Sequence, residues 1–125
     1  MPRVLVIDDS PGLRELMCIG LRASGYEVAA AGDGRRALRL QREKPCDVIV
    51  TDLFMPEMDG IETIQTVRQE FPATAIIAIS GVESKTGADF LEVASKLGAQ
   101  TVLRKPFTIP ELIAAVDAAS ASKKA

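Results

Sequence analysis

Short, unbroken apolar runs recur along the chain, and each one leads into a polar group. The runs are Val4-Leu5-Val6-Ile7, Val48-Ile49-Val50-Thr51, Ala75-Ile76-Ile77-Ala78-Ile79 and Thr101-Val102-Leu103. They lead to Asp8-Asp9, Asp52, Ser80 and, one residue on, Lys105. Continuous stretches of Val and Ile, with no polar residue at alternate positions, suit parallel strands buried on both faces. In an open parallel sheet, ligands bind outside the carboxyl ends of the strands. Such strands would bring three carboxylates, a hydroxyl and an amine to one sheet edge.

The segments between the runs have helical spacing. Ser10-Pro11 reads as an N-cap with proline in the first turn, and Leu13, Leu16, Met17, Gly20 and Leu21 follow on one face up to Gly25. A weaker strand at Glu27 to Ala31 precedes Gly32-Asp33-Gly34 and a helix to about Glu43, broken at Lys44-Pro45. Gly60 precedes a helix with Ile61, Ile64, Val67 and Phe71 on one side, stopped by Pro72. A fourth helix carries Phe90, Leu91, Ala94 and Leu97 and ends at Gly98. Thr108-Ile109-Pro110-Glu111 has capping-box spacing, ahead of the stripe Leu112, Ile113, Val116 and Ala119. Strand and helix alternate five times, which right-handed crossovers turn into an α/β, doubly wound, five-stranded parallel sheet with five helices.

At 125 residues the chain is one domain in size, expected to span 1–120, with 121–125 a short flexible tail. A net charge of −2 gives no general case for nucleic acid or for an acidic membrane surface. Cys18 and Cys46 lie far apart and there is no histidine, which argues against a zinc site or a disulfide framework and suits a reducing compartment. No secretory leader and no apolar run near membrane-spanning length is present, so a cytoplasmic protein is expected. Arg35, Arg36, Arg39, Arg42 and Lys44 make the second helix basic. That pattern reads first as a solvated face and only second as a docking surface for an acidic partner; aromatic support for nucleic acid is lacking.

The clustered acids set the chemistry. Two unit negative charges about 5 Å apart repel by roughly 3 kcal/mol at an effective dielectric near 20. Asp8, Asp9 and Asp52 together exceed what Lys105 alone neutralises, and a hard divalent cation resolves the deficit. An all-oxygen set with few carboxylates fits Mg²⁺ better than a caged Ca²⁺. Ser80 and Lys105 add a hydroxyl and an ammonium, groups suited to a phosphoryl dianion. Taken singly, Asp8-Asp9 are equally good helix-capping acids, Asp52 a loop acid, Ser80 a turn residue and Lys105 a solvated lysine. Their joint placement at strand ends favours a site.

These motifs, in the order Val6-Ile7-Asp8-Asp9-Ser10, Asp52 to Gly60, Ser80-Gly81 and Lys105-Pro106-Phe107, resemble the receiver domains of two-component response regulators, the CheY-like fold. The resemblance runs from Val4 to about Ala119 and implies a strand order of 2-1-3-4-5. It implies that Asp52 accepts a phosphoryl group from a histidine kinase or histidine phosphotransfer protein. Asp9, Asp52 and the Phe54 carbonyl would bind Mg²⁺ directly, with Asp8 acting through water. Ser80 and Lys105 would contact the phosphoryl oxygens. Output would pass to a downstream protein target, with no nucleic acid or membrane contact and no enzyme reaction beyond the chain's own phosphotransfer and dephosphorylation.

The family's switch residue, an aromatic three places before Lys105, is here Val102. The expectation is that the Gly81 to Asp89 loop reports phosphorylation instead. Apolar Phe54 and Val82 flanking the acceptor imply slow autodephosphorylation. With no output domain in the sequence, a stand-alone receiver is expected; a phosphorelay shuttle or phosphate sink is the alternative. A haloacid-dehalogenase-like phosphatase needs an acid where Phe54 stands. A flavodoxin-like nucleotide binder needs a phosphate loop where Asp8-Asp9 stand. A scaffold that has lost phosphorylation would not need all of these groups.

Overall fold

The computed structural model describes residues 2–52, 60–80, 99 and 101–124. Within them, β1 (Arg3–Ile7), β2 (Glu27–Ala31), β3 (Val48–Asp52), β4 (Ala75–Ser80) and β5 (Thr101–Arg104) form one parallel sheet in the order β2-β1-β3-β4-β5. Four helices are described: α1 (Pro11–Ala23), α2 (Gly34–Glu43), α3 (Gly60–Glu70) and α4 (Ile109–Lys124). The helix expected around Phe90 to Leu97 falls outside the described residues.

The apolar runs work because both faces of the sheet are covered. Successive strand residues point to opposite sides. Val4, Val6, Val48, Val50, Ile77 and Ile79 pack with Met17 and Leu21 of α1 and Leu112 and Val116 of α4. Leu5, Ile7, Ile49, Ile76 and Ala78 pack with Ala37 and Leu38 of α2 and Ile64 and Val67 of α3. Burying each of these larger aliphatic side chains contributes about 2 kcal/mol. β5 is at the sheet edge, and its residues are half-buried or exposed.

Local signals place the helix ends. Gly25, at φ +96°, lets α1 close in a Schellman turn, with Gly25 N donating to Arg22 O and Tyr26 N to Leu21 O. Asp33 caps α2 by accepting from Arg36 N at 2.8 Å. The capping box of α4 forms as read from sequence: Thr108 N donates to Glu111 Oε1 and Glu111 N donates to Thr108 Oγ1. Ser10 occupies the N-cap position of α1, but its hydroxyl makes no capping bond. The α4 helix runs on to Lys124, into the segment expected to fray; Ser120 is buried, and Ala and Lys propagate helix well. Tyr26 donates to Asp117, fastening α4 beside β2; burial and that carboxylate push the phenol up to about 12.

At Gly20, α1 packs close against the start of α4, because a Cβ there would overlap Ile109 Cγ2. Gly20→Ala should lower stability by about 1 kcal/mol, as overpacking outweighs the gain in helix propensity. In an Ile109→Ala background the same change should cost nothing or stabilise. Urea unfolding of the four proteins checks this, and equal costs in both backgrounds would contradict it.

Candidate functional site

Register brings the polar groups together. Ile7 is opposite Thr51, so Asp8 follows its strand beside Asp52. Asp52 is opposite Ile79 and Ser80 is opposite Arg104, so Ser80 and Lys105 come next along the same edge. Lys105 N donates to Ser80 O at 2.8 Å, holding the end of β5 against β4. The Lys105-Pro106 peptide is cis. One carboxylate oxygen from each of Asp8, Asp9 and Asp52 lies within 4.8 Å of the others. Asp8, Asp52 and Ser80 are buried, whereas Asp9 is exposed.

The electrostatics are lopsided. Lys105 Nζ is 2.9 Å from Asp52 Oδ2 and 3.8 Å from Asp8 Oδ2. Among the described residues, these three carboxylates against the Lys105 ammonium leave a formal excess of two negative charges. Burial is the main force pushing the Asp8 carboxyl above its usual range, and the charges of Asp52 and Asp9 add to it. The Ser10 N–H, which donates to Asp8 Oδ1 at 2.8 Å, and the Lys105 charge pull the other way. For Lys105, burial alone would lower the ammonium's pKa, but the hydrogen bond and charge of Asp52, with Asp8 and Asp9, outweigh it and raise it.

Among the described residues, nothing donates a hydrogen bond to the buried Asp8 Oδ2. A buried carboxylate oxygen that faces two other acids, with only the Lys105 ammonium 3.8 Å away among the described residues, is the environment a hard cation completes, and the donors are all oxygen. Asp8, Asp9 and Asp52 therefore fit Mg²⁺. Phe54, expected to add its carbonyl, lies outside the described residues, as do Val82 and the Gly81 to Asp89 loop.

Val102, at the position of the family's aromatic switch, is half-buried and packs against the core cluster of Leu5, Ile7, Ile76 and Ala78. It pairs with Ala78, two residues before Ser80. The basic face of α2 is partly spoken for. Arg42 forms a two-pronged pair with Glu70 at 2.8 and 2.5 Å, and Lys44 pairs with Glu27 at 3.1 Å.

One residue near the site escaped the sequence reading. Arg14 Nη1 donates to the Asp8 carbonyl oxygen at 2.8 Å. Its only sequence signal is a cation near the start of α1, where the helix dipole disfavours positive charge.

The family model for the response regulator receiver domain matches residues 4–117. This chain belongs to that family. The probable chemotaxis protein CheY of Rhizobium etli is 35% identical over 117 residues, covering 93% of this chain and 90% of that protein. The transcriptional regulatory protein PrrA of Mycobacterium tuberculosis is 40% identical over 120 residues, covering 94% of this chain but 49% of PrrA. The chain thus spans about half the length of the transcriptional regulators it matches.

Solved structures agree on the architecture. A receiver domain from Clostridium thermocellum superposes with a TM-score of 0.91 at 31% identity, over 99% of this chain and 98% of that one. Chemotaxis protein CheY4 of Vibrio cholerae gives 0.87 at 32% identity, over 95% and 98%. Receiver domains are phosphorylation-dependent signalling switches, and this chain has the five-stranded parallel architecture of its solved relatives.

Proposed function

We propose that Asp52 is the phosphoacceptor of this receiver domain, served by Mg²⁺ held between Asp8, Asp9 and Asp52. The single observation that carries this is the convergence of three carboxylates and Lys105 at the carboxyl edge of β1, β3 and β5. Asp52 is buried at the strand end, so its carboxylate is presented in one orientation. Its oxygen forms the new P–O bond as the P–N bond of a phosphohistidine breaks, the electron pair returning to the imidazole of the donor. Bound Mg²⁺ would supply charge neutralisation for the phosphoryl oxygens. Lys105, now on Asp52 Oδ2, is placed to follow the charge onto the phosphoryl group, and Ser80 offers its hydroxyl from the neighbouring strand end.

The donor is a histidine kinase or a histidine phosphotransfer protein. Leu16, which the helical spacing grouped with the buried Met17 and Leu21, is instead 57% exposed; with Ile19, 55% exposed, it stands on α1, which begins directly after the Asp8-to-Ser10 turn. We assign that apolar pair to the donor-docking surface. Output goes to a protein target. The chain acts on no other substrate, and its two buried free thiols fit a cytoplasmic setting. A pure phosphorelay shuttle uses the same site and differs only in where the phosphoryl group goes next.

The test is incubation with acetyl phosphate in MgCl₂ or in EDTA, followed by intact-mass measurement. A single Mg²⁺-dependent phosphoryl adduct is expected. Steady turnover of generic phosphate esters, with no adduct, would point to a phosphatase instead.

A further inference from the structure

We propose that Arg14 is a positioning residue for the metal-binding carboxylates, and that Gly32 lacks a side chain so that this arginine can lie across the site's outer edge. The proposal rests on reading Asp8, Asp9 and Asp52 as a Mg²⁺ site.

Arg14 is the fourth residue of α1, which carries no acid in its first turn. A cation there opposes the helix dipole, so its placement needs a compensating acceptor. The acceptor is the Asp8 carbonyl oxygen, 2.8 Å from Nη1. That carbonyl belongs to the peptide joining Asp8 to Asp9. One bond therefore fixes the plane from which both carboxylates project.

The rest of the frame is backbone. Asp8 N donates to Ala31 O at 3.2 Å, which binds the end of β1 to the end of β2. Ser10 N donates to Asp8 Oδ1 at 2.8 Å, which turns one oxygen of that carboxylate toward the loop. With the Asp8 amide and one side-chain oxygen so held, Arg14 supplies the third restraint, on the carbonyl.

Gly32 follows Ala31 immediately. A Cβ at Gly32 would stand 3.2 Å from Arg14 Nη1 and 3.9 Å from Cζ, tighter than ordinary contact at the nitrogen. The guanidinium thus spans α1, the β1–α1 turn and the β2–α2 turn. Three acids that repel each other spread when their backbone is loose. Holding the peptide removes that freedom before the cation arrives, as groups behind the ligands of metal sites do.

The experiment is a MgCl₂ titration of the full chain, followed by the Asp8, Asp9 and Ser10 amide shifts in NMR, with melting curves in MgCl₂ and in EDTA. Arg14→Ala should weaken Mg²⁺ binding about tenfold, the usual effect of losing a group behind a metal ligand. Arg14→Lys should recover most of it, because the bond to the Asp8 carbonyl uses one donor. Gly32→Ala should weaken binding by less, and should add nothing once Arg14 is Ala.

A merely structural arginine would lower the melting temperature equally with and without Mg²⁺. A positioning role shrinks the Mg²⁺-induced rise itself. Wild-type Mg²⁺ affinity in a cooperatively melting Arg14→Ala protein overturns the proposal, as does full additivity with Gly32→Ala. If Arg14→Ala does not fold, Gly32→Ala alone decides, by the same titration. Failure of the wild-type chain to bind Mg²⁺ overturns this proposal together with the site reading; a failure confined to the variants overturns this proposal alone.

Discussion

Asp52→Asn should abolish phosphoryl acceptance from every kinase in a panel, while the variant stays folded. The amide is nearly isosteric, so packing at the end of β3 is preserved, but it cannot serve as the nucleophile. The loss is all-or-none because Asp52 is the acid of the cluster directly hydrogen-bonded to Lys105. Asp9→Asn in the same assay should leave residual transfer that rises with MgCl₂ concentration, since it weakens the cation site but keeps the nucleophile. Radiolabel transfer resolved on a gel reads both. Wild-type labelling of the Asp52→Asn chain would remove Asp52 from the mechanism.

Asp8→Asn should make the metal-free chain more stable, though it damages the site. Asp8 is fully buried, its Oδ2 lacks a hydrogen bond, and it sits within reach of two like charges. Neutralising it should gain on the order of 1 kcal/mol in EDTA, the repulsion being partly offset already by Lys105. The pH dependence follows from the raised folded pKa. In that case the folded chain holds the proton more tightly than the unfolded one, so Asp8 costs stability above its folded value. The cost disappears as pH falls through that value towards the ordinary 3.8.

Glu27 and Glu70, both lowered by their basic partners, act in the opposite sense, and their contribution fades only from about their ordinary 4.5 downwards. Mild acidification in EDTA should therefore narrow the gap between wild type and Asp8→Asn. In MgCl₂ the order should reverse, because the wild type binds the cation more tightly and so gains more binding energy than the variant. Urea unfolding across this pH range tests both statements. A less stable Asp8→Asn chain in EDTA at neutral pH would contradict them.

The strand-end cluster was legible in sequence because each of its members closes an apolar run. Parallel pairing in register then places Asp8, Asp52, Ser80 and Lys105 on one edge without further information. The Thr108/Glu111 capping box was legible for a similar reason, its chemistry being local and its spacing fixed. Ser10 shows the limit of that logic. It has the right residue type at the N-cap, yet its useful group is the backbone N–H, taken by Asp8 Oδ1. Arg14 was invisible because its partner is a carbonyl, which no residue type marks, and because its neighbour Gly32 lies on another loop. The continuation of α4 to Lys124 carries no signal in composition, which reports polarity, whereas the burial of Ser120 depends on tertiary packing.

Capture of a phosphoryl group on one particular carboxylate at this edge of the sheet leaves a chemical mark. Reduction of the acetyl-phosphate-treated chain with borohydride converts an aspartyl phosphate to homoserine, which peptide mass spectrometry locates. Homoserine is expected at position 52 alone, and only when Mg²⁺ was present. Conversion at Asp8 or Asp9 instead, or equal conversion in EDTA, would contradict it.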